Sequence, residues 1–229
     1  GGRKIASSRT RVFDYLPFLR RDHIPYKILV LKGKFVSSPR NYFKELCLAV
    51  YHDVMIIWAL VASLFYDVIF IQKVLMPKSC LRVLKIFGKK LVFDFDDAIY
   101  LSPPSRDRFN SVVSESDLII LENEESERWA RTYNPSINIL TITGPIDTAR
   151  YTPRSRSKET VVVGWIGSSW TTPYLDLVIP VFSKIASAHR NVTLKLIGAS
   201  PIKSFPWLQQ IDWSLDTEVS ELSDFDIGI

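Results

Sequence analysis

Three carboxylates, Asp94, Asp96 and Asp97, stand close together directly after a run of apolar residues. Residues 90–95 predict a buried strand, so the carboxylates follow its carboxyl end, where open parallel α/β sheets bind their ligands. Carboxylates this close cannot all stay ionised in a dry site, and they need cations, hydrogen bonds or water around them. A ligand site is one interpretation of this pattern; a turn capped by an Asp that accepts backbone N–H bonds is the structural alternative.

A second candidate site lies in residues 160–178, TVVVGWIGSSWTTPYLDLV. Residues 161–163 predict a buried strand, residues 164–167 a turn bounded by glycines, and Thr172-Pro173 the start of a helix. A strand, a Gly/Ser turn and a helix start leave unpaired N–H groups and the positive end of the helix dipole directed at one place, which suits a phosphate group. A tight turn between strand and helix uses Gly and Ser in any α/β protein, so the purely structural interpretation stays open.

The elements that position these residues alternate along the chain. A Gly/Ser loop is followed by a helix in residues 9–21, which Pro17 kinks or delays, by a strand in 26–31 and by a long helix in 41–65. Strands 67–72, 90–95, 117–121 and 137–141 then alternate with helices 77–87, 108–115 and 124–133. Such apolar strands are typical of a parallel sheet covered on both faces, so we predict a Rossmann-like first domain that lacks its first strand.

The alternation breaks in residues 143–158, which read as a linker because two prolines, a glycine and several basic residues fall together. It resumes with the strand in 161–163, a helix in 173–189, strands in 193–197 and 209–213, a helix in 217–223 and a strand in 226–229. The sequence therefore predicts two Rossmann-like α/β domains, residues 1–150 and 151–229. The second is expected to be incomplete, since it ends on a strand.

Composition limits the class of protein. The chain has 229 residues, of which 47% are hydrophobic and 12% aromatic, so a packed globular core is expected. The net charge of +5 is concentrated in residues 1–40, which hold ten Lys or Arg and two Asp. Such a cationic segment suits phosphate groups or an anionic membrane surface. No motif that reads nucleic acid is visible, and nucleic acid is not an expected partner.

Cysteine usage and hydropathy bear on location. Cys47 and Cys80 lie in apolar runs, which favours a reducing compartment and a cytoplasmic protein. The most apolar stretch, residues 54–66, is shorter than the roughly 20 residues that span a bilayer, so a buried or interfacial helix is expected and peripheral membrane contact stays open. The three histidines are isolated from one another, which predicts no histidine-based metal site or catalytic triad.

The carboxylate segment FDFDDA resembles the first motif of haloacid-dehalogenase-type hydrolases. That resemblance implies a Mg²⁺-dependent phosphatase in which Asp94 is the nucleophile and Asp96 the acid/base. Ala98 stands where that family carries Thr or Val, and the one candidate for the late acidic pair is Asp224 with Asp226.

A second resemblance takes in nearly the whole chain. The segments SSR and YLPFLRRDHI, FDFDDAIY, SDLIILENEESERWA, GPIDTARYTP, GWIGSSWTTPYL and LSDFDIGI resemble, in this order, family 4 glycosyltransferases of the GT-B fold. The linker carries most of the likeness, through Gly144, Ile146, Asp147, Tyr151 and Pro153. Pro145 is an insertion relative to the family's pattern.

This second resemblance implies a retaining glycosyltransferase that takes a nucleotide-diphosphate sugar as co-substrate and needs neither a bound metal nor another cofactor. The acceptor would be a glycan or a lipid-linked molecule, with Asp96 and Asp97 lining its side of the cleft and no general base assigned. The residues implied to bind the donor are Gly167, Ser168, Ser169, Thr171 and Thr172 of the second domain and Gly1, Gly2, Ser7, Ser8, Arg9 and Arg11 of the first.

The sequence also departs from the family. Where many members carry an Arg and a Lys after the first strand of the second domain, this chain has Ser168-Ser169-Trp170-Thr171. A histidine common near the end of a middle strand is replaced around Gln72-Lys73, and the family's paired glutamates would follow the strand that ends the chain. These departures predict a truncated form with weak or no activity; the alternative is a non-catalytic module that binds nucleotide-sugars.

Overall fold

Two wholly parallel four-stranded sheets form the framework of the computed structural model, which describes residues 2, 3, 5–30, 42–101, 103–153 and 159–229. The chain divides into two compact units, Gly1–Ile146 and Asp147–Ile229, with one sheet in each. The predicted fold class, α/β with two Rossmann-like domains, is confirmed.

The sheet of the first unit has the order β1-β2-β3-β4. Its strands are β1 (Val68–Gln72), β2 (Lys90–Asp94), β3 (Leu118–Leu121) and β4 (Asn138–Thr141). Parallel neighbours need a crossover connection, and α4 (Lys78–Ile86), α5 (Pro103–Glu115) and α6 (Glu124–Tyr133) supply it. All four strands agree with the sequence prediction to within one residue at each end.

Aromatic side chains form the centre of this unit. Phe93, Phe95 and Phe109 are fully buried, with ring centroids between 5.1 and 5.8 Å apart, and Tyr100 stacks on Trp129 at 4.7 Å. Burying a phenylalanine side chain contributes about 2–3 kcal/mol, so this cluster is a principal source of stability for the unit.

The ends of helices α5 and α6 show which helix boundaries the sequence predicts correctly. The α6 helix begins after Asn123, whose side chain accepts a hydrogen bond from the Ser126 amide at 2.9 Å, and acidic residues fill its first turn. Its predicted bounds agree with the structure. The α5 helix begins five residues earlier than predicted, at Pro103, because proline is tolerated in the first turn of a helix, where no N–H partner is required.

The N-terminal segment is less regular than predicted. Instead of one helix in residues 9–21, the chain forms α1 (Ala6–Arg11), a 3₁₀ turn and α2 (Leu16–Arg21). Pro17 lies in the first turn of α2, as a delayed helix start requires. The strand predicted in residues 26–31 is wrong as far as the described residues reach: residues 26–30 join no ladder, and residue 31 lies outside the described part. Apolar residues with high β propensity favour an extended chain, but a strand also needs a neighbouring strand to pair with.

The long helix α3 (Tyr42–Ser63) agrees with the prediction for residues 41–65. From Val50 onward its outer face exposes Val54, Ile57, Trp58 and Val61 to about half of their surface. In the described part of the chain, no helix combines the length and the apolar character needed to cross a membrane.

The second unit has the sheet order β7-β6-β5-β8. Its elements are β5 (Val161–Ile166), α7 (Leu175–Ala188), β6 (Val192–Ile197), β7 (Leu208–Ile211), α8 (Glu218–Leu222) and β8 (Ile227–Gly228). Lys195, in the middle of β6, is buried and forms ion pairs with Glu221 at 2.5 Å and Asp224 at 2.8 Å. This buried cation fastens α8 and the segment before β8 to the sheet.

The turn predicted at residues 164–167 begins later than expected. Gly164, Trp165 and Ile166 belong to β5 and pair with β6, so the prediction for these three residues is wrong. Gly164 is a glycine for another reason: a Cβ at this position would overlap the ring of Phe225. Glycine in a strand often marks such a close approach, which a sequence cannot distinguish from a turn.

Asp117 fastens the opposite end of the first sheet. Its carboxylate accepts hydrogen bonds from the Leu91 amide at 2.8 Å and from Lys85 Nζ at 2.7 Å. Burial raises the pKa of Asp117, but the hydrogen bonds from Lys85 and Leu91 and the charges of Lys85 and Lys90 outweigh it and hold the pKa below its ordinary value. The ionised carboxylate therefore stabilises the folded state.

We expect Asp117→Asn to lower the free energy of unfolding by about 1–2 kcal/mol near pH 7. Because the folded-state pKa is lowered, this contribution is present above the ordinary aspartate pKa and is lost as the pH falls through the lowered value. Urea unfolding across acidic to neutral pH should show the variant and the parent converging at low pH. Glu115→Gln, which removes an exposed ion pair with Arg82, is the control and should show little change. A pH-independent loss in Asp117→Asn would contradict the assignment.

Candidate functional site

The carboxyl ends of β1, β2 and β3 bring polar residues from distant parts of the first unit together. β1 ends at Gln72, which lies opposite Asp94 at the end of β2. Glu122 follows the last residue of β3. Because parallel strands end at the same edge of a sheet, these residues and those just after them form one cluster.

Arg11 and Asp94 form a buried ion pair at this edge. Arg11 Nε lies 2.9 and 2.8 Å from the two carboxylate oxygens of Asp94, and Nη2 lies 2.5 Å from Oδ1. The two side chains expose 4% and 1% of their surface. A further nitrogen, Nη1, donates to Glu122 at 2.6 Å. Arg11 thus connects α1 to the ends of β2 and β3.

The electrostatics of the pair favour a charged arginine. Burial lowers the pKa of Arg11, but the hydrogen bonds and charge of Asp94, together with the charge of Glu122, outweigh it and raise the pKa above its ordinary value. Burial also raises the pKa of Asp94, and Arg11 opposes that shift through its hydrogen bonds and its charge. Each group therefore depends on the other to remain ionised inside the protein.

Lys73 is a site residue to which the sequence assigned no role. It follows β1 directly, in the left-handed backbone region with φ of 54°, and its amide donates to the Asp94 carbonyl at 2.9 Å. Its Nζ forms ion pairs with Asp96 and, at 2.5 Å, with Asp97. A non-glycine residue in this conformation costs on the order of 1 kcal/mol, and such residues cluster at functional sites. The sequence does contain a signal for this role: a lysine directly follows β1, the strand next to β2, which carries the carboxylates at its end.

This arrangement does not favour phosphatase chemistry at Asp94. Arg11 occupies both oxygens of the predicted nucleophile, and the carboxylate is almost fully buried. In the second unit, Asp224 pairs with Lys195, and Asp226 accepts a hydrogen bond from the Val162 amide at 2.7 Å. The carboxylates of the haloacid-dehalogenase-like pattern thus have structural partners.

The remaining predicted residues of the first unit lie on or near α1. Ser8, three residues before Arg11, donates a hydrogen bond to Gln72 at 3.2 Å, which places α1 against the end of β1. Arg9 is buried and Ser7 is half-buried. Gly2 has φ of 122°, a conformation that side chains rarely adopt, and Gly1 lies outside the described residues.

In the second unit, residues 167–172 form a tight turn between β5 and α7. The Ser168 carbonyl accepts hydrogen bonds from the Thr171 and Thr172 amides at 3.0 and 3.1 Å. Thr171 Oγ1 accepts from the Ser168 amide at 3.1 Å. The buried Thr172 hydroxyl donates to the Ser168 carbonyl and accepts from the Ser200 amide at 2.8 Å, so it joins this turn to the loop after β6.

Two glycines allow these loops to approach each other. A Cβ at Gly167 would overlap the Trp165 ring and lie 2.8 Å from Thr171 Oγ1. Gly198, with φ of 78°, has its Cβ position 2.5 Å from the Gly167 carbonyl oxygen. The Gly167 amide donates to the Ile197 carbonyl at 3.0 Å. Gly167 is therefore a packing residue whose amide is engaged within the sheet.

The outer part of the turn offers donors to a ligand. Ser168, Ser169, Trp170 and Thr171 are exposed, and the first turns of a helix follow. Hydroxyls and amides before a helix N-terminus suit an anion, although Asp176 in the first turn of α7 reduces the favourable potential. No basic side chain belongs to this turn, so neutral donors would supply its affinity.

A third polar cluster lies around Glu218, which is 3% exposed and which the sequence did not single out. Its carboxylate accepts hydrogen bonds from the Tyr151 hydroxyl and, at 2.7 Å, from Trp213 Nε1. Arg150 donates to the Leu215 carbonyl at 3.3 Å. The predicted linker is therefore anchored to the second unit through Arg150 and Tyr151; residues 154–158 lie outside the described part.

Truncating Arg11 should test whether this pair fastens α1 to the sheet. We expect Arg11→Met to lower the free energy of unfolding by about 3–5 kcal/mol, because Asp94 is left buried without its partner. The double variant Arg11→Met/Asp94→Leu should recover much of this loss, since the fully buried carboxylate is gone and Glu122, whose side chain is 30% exposed, can be solvated. Urea denaturation of the four combinations measures the coupling.

Arg21→Met is the matched control, because the Arg21–Asp22 pair is exposed, and it should leave the unfolding midpoint unchanged. Single-variant losses that simply add in the double variant would show that the pair is not coupled.

The fold is that of the GT-B class: two successive α/β units, each with a parallel four-stranded sheet. Among solved structures, HepE of Anabaena in complex with UDP is similar, with 15% identity and a TM-score of 0.56, over 94% of this chain and 63% of that one. TarM has 12% identity and a TM-score of 0.52, over 74% of this chain and 39% of its own. An alpha-glucosyltransferase in complex with UDP-glucose and DNA containing an abasic site has 15% identity and a TM-score of 0.50, over 76% and 55%.

At these identities the likeness establishes the fold. The chain spans about 39–63% of the length of these three structures. No protein-family model matches the sequence, and no curated protein matches it significantly.

Proposed function

We propose that the protein is a glycosyltransferase that moves a sugar from a nucleotide-diphosphate sugar to a hydroxyl group of a glycan or a lipid-linked acceptor. The observation that carries this proposal is the exposed Gly/Ser turn at the carboxyl end of β5, in a fold shared with HepE, whose structures hold UDP, UDP with glucose, and UDP-glucose. Ligands of parallel α/β sheets bind at this end of the strands.

In this proposal the donor diphosphate lies against residues 168–170. The hydroxyls of Ser168 and Ser169 and the amides of Ser169 and Trp170 donate to its oxygens. Thr171 and Thr172 have their hydroxyls engaged within the turn and act by holding its shape. Preorganised donors of this kind stabilise charge that develops on a leaving diphosphate, which is the step that a retaining transfer requires.

In the first unit, Asp96 and Asp97 are the candidate residues for contact with the acceptor. Asp96 and Asp97 lie at the carboxyl edge of the sheet with Lys73 between them, and Asp97 is largely exposed. An exposed carboxylate beside a lysine can orient acceptor hydroxyls by accepting their hydrogen bonds. Arg11, Asp94 and Glu122 lie at the same edge of the sheet and help to hold these residues in place. We assign no general base.

A non-catalytic module that binds nucleotide-sugars is the second candidate. It is favoured by one observation: the turn of residues 167–172 has no cationic side chain, so little positive charge is at hand to neutralise a leaving diphosphate. Binding without turnover would follow from such a site.

Calorimetric titration of the purified chain with UDP and GDP, with and without Mg²⁺, tests the proposal. We expect saturable binding of at least one nucleotide that does not depend on Mg²⁺, because hydroxyls and amides replace the metal. Measuring nucleotide release from the corresponding nucleotide-sugars then separates the two candidates: release that depends on acceptor indicates a transferase, and binding alone indicates a module. Absence of binding would contradict both, and Mg²⁺-dependent phosphate release would favour a phosphatase.

Placing a negative charge in the turn should weaken nucleotide binding. We expect Ser169→Asp to weaken binding by roughly tenfold or more, because the added carboxylate would face the phosphates at short range. The control is Ser187→Asp, which adds the same charge near the other end of the 14-residue helix α7, about 20 Å away, and should leave the affinity unchanged. Equal affinities for Ser169→Asp and the parent would show that the diphosphate lies elsewhere.

A further inference from the structure

The outer face of α3 carries a continuous stripe of exposed apolar side chains, from Val50 to the residue directly after the helix. Each of them exposes between 45% and 61% of its surface. A helix that is apolar on all sides is normally buried, yet only the inner face of α3 is covered, where Leu60 packs against the core of the first unit. We call the outer surface the α3 stripe, and its members are Val50, Val54, Ile57, Trp58, Val61 and Leu64.

The spacing within the α3 stripe matches the seam between two paired helices. From Val50 to Leu64 the exposed residues follow one another at intervals of four, three, four and three positions, and Trp58 lies beside them. This is the 3.5-residue repeat along which two helices pack, because each side chain of one helix then inserts between side chains of the other. The spacing therefore favours a helix as the partner of the stripe.

A second copy of the α3 stripe is compatible with the first in charge. All six members are uncharged, so two identical stripes can meet without repulsion, which an interface between the same surface of two copies requires. A membrane surface is a poorer match, because helices that lie on membranes carry Lys or Arg beside their apolar face, and residues 50–65 contain neither. Lys89, whose Nζ lies 3.4 Å from the Leu64 carbonyl oxygen, borders the stripe at one end.

The area of the α3 stripe agrees with what a dimer needs. Its members together expose on the order of 600 Å², which is the upper end of the largest apolar patch that a monomer usually exposes. Two copies would bury about 1,200 Å² from the stripe alone, which is the lower limit for specific, stable interfaces. Trp58 belongs to the residue types that most often dominate the binding energy of an interface.

We propose that the α3 stripe is the interface of a two-fold symmetric dimer, in which α3 of one copy packs along α3 of the other. Ile57 lies at the middle of the stripe, halfway between Val50 and Leu64. It therefore meets its own counterpart near the two-fold axis, whether the two helices run parallel or antiparallel. This inference concerns assembly and does not depend on the proposed function.

Sedimentation velocity of the purified chain over a range of concentrations tests the proposal. We expect the parent chain to form a dimer at micromolar concentration, and Ile57→Glu to weaken dimerisation by about a hundredfold or more, because two carboxylates would meet in an apolar contact. The circular dichroism spectrum should not change, since Ile57 is 61% exposed in a single copy. Leu177→Glu, at an exposed residue of α7, is the matched control and should leave the dimer intact.

A mixture of two charge variants provides a second readout. Ile57→Lys alone should also be monomeric, because two ammonium groups would then face each other. A mixture of Ile57→Lys with Ile57→Glu should form a heterodimer, since opposite charges now meet near the two-fold axis, and added salt should weaken it. Recovery of a dimer in the mixture would show that both variants are folded and that position 57 faces its own counterpart.

Several results would overturn the proposal. A parent chain that stays monomeric at every concentration would show that the α3 stripe does not pair with itself, and binding of this monomer to vesicles of phosphatidylcholine and phosphatidylserine would indicate a membrane surface as its partner. A dimer that Leu177→Glu dissociates and Ile57→Glu does not would have its interface on α7. Two folded charge variants that form no heterodimer when mixed would show that position 57 lies away from the two-fold axis.

Discussion

The buried ion pair between Arg11 and Asp94 is the constraint on which the carboxyl edge of the first sheet depends. It joins residues 83 positions apart in the chain and, through Glu122, reaches the end of a third element. Removing two charges from water costs several kcal/mol, which only good geometry and complete pairing can offset. The position of helix α1, which carries Ser8 and Arg11, therefore depends on this ion pair. The same holds for the strand ends and for the cluster of Lys73, Asp96 and Asp97.

In the second unit, neutral groups rather than ion pairs hold the loops at the carboxyl edge of the sheet in place. Its loops after β5 and β6 approach each other because Gly167 and Gly198 have no side chains, and Thr172 bridges them with one hydroxyl. The exposed serines project from a turn whose other donors are already engaged. Buried ion pairs thus order the carboxyl edge of the first sheet, whereas close packing and neutral hydrogen bonds order the loops after β5 and β6. In the second unit, the groups that face a bound anion would therefore be neutral hydroxyl and amide donors.

Much of the fold follows from local patterns, whereas the candidate site depends on distant pairs. The α6 helix was predictable because Asn123 and the glutamates after it are local signals, and the strands were predictable from apolar runs. The sequence wrongly predicts a turn at Gly164. A side chain there would overlap the ring of Phe225, which lies 61 residues further along the chain, so no local pattern shows why the residue is a glycine. The roles of Arg11, Lys73 and Glu218 also depend on partners that topology brings close. Residues 26–30 formed no strand because propensity does not provide a partner edge.

The central claim is that the outer part of the turn after β5 binds the diphosphate of a nucleotide. Backbone amide NMR spectra recorded during a titration with UDP test this most directly. The account predicts that the largest shifts fall on Ser168, Ser169 and Trp170, with smaller shifts on Ser200, which is coupled to the turn through Thr172. Shifts that leave residues 167–172 untouched while UDP binds elsewhere would contradict it.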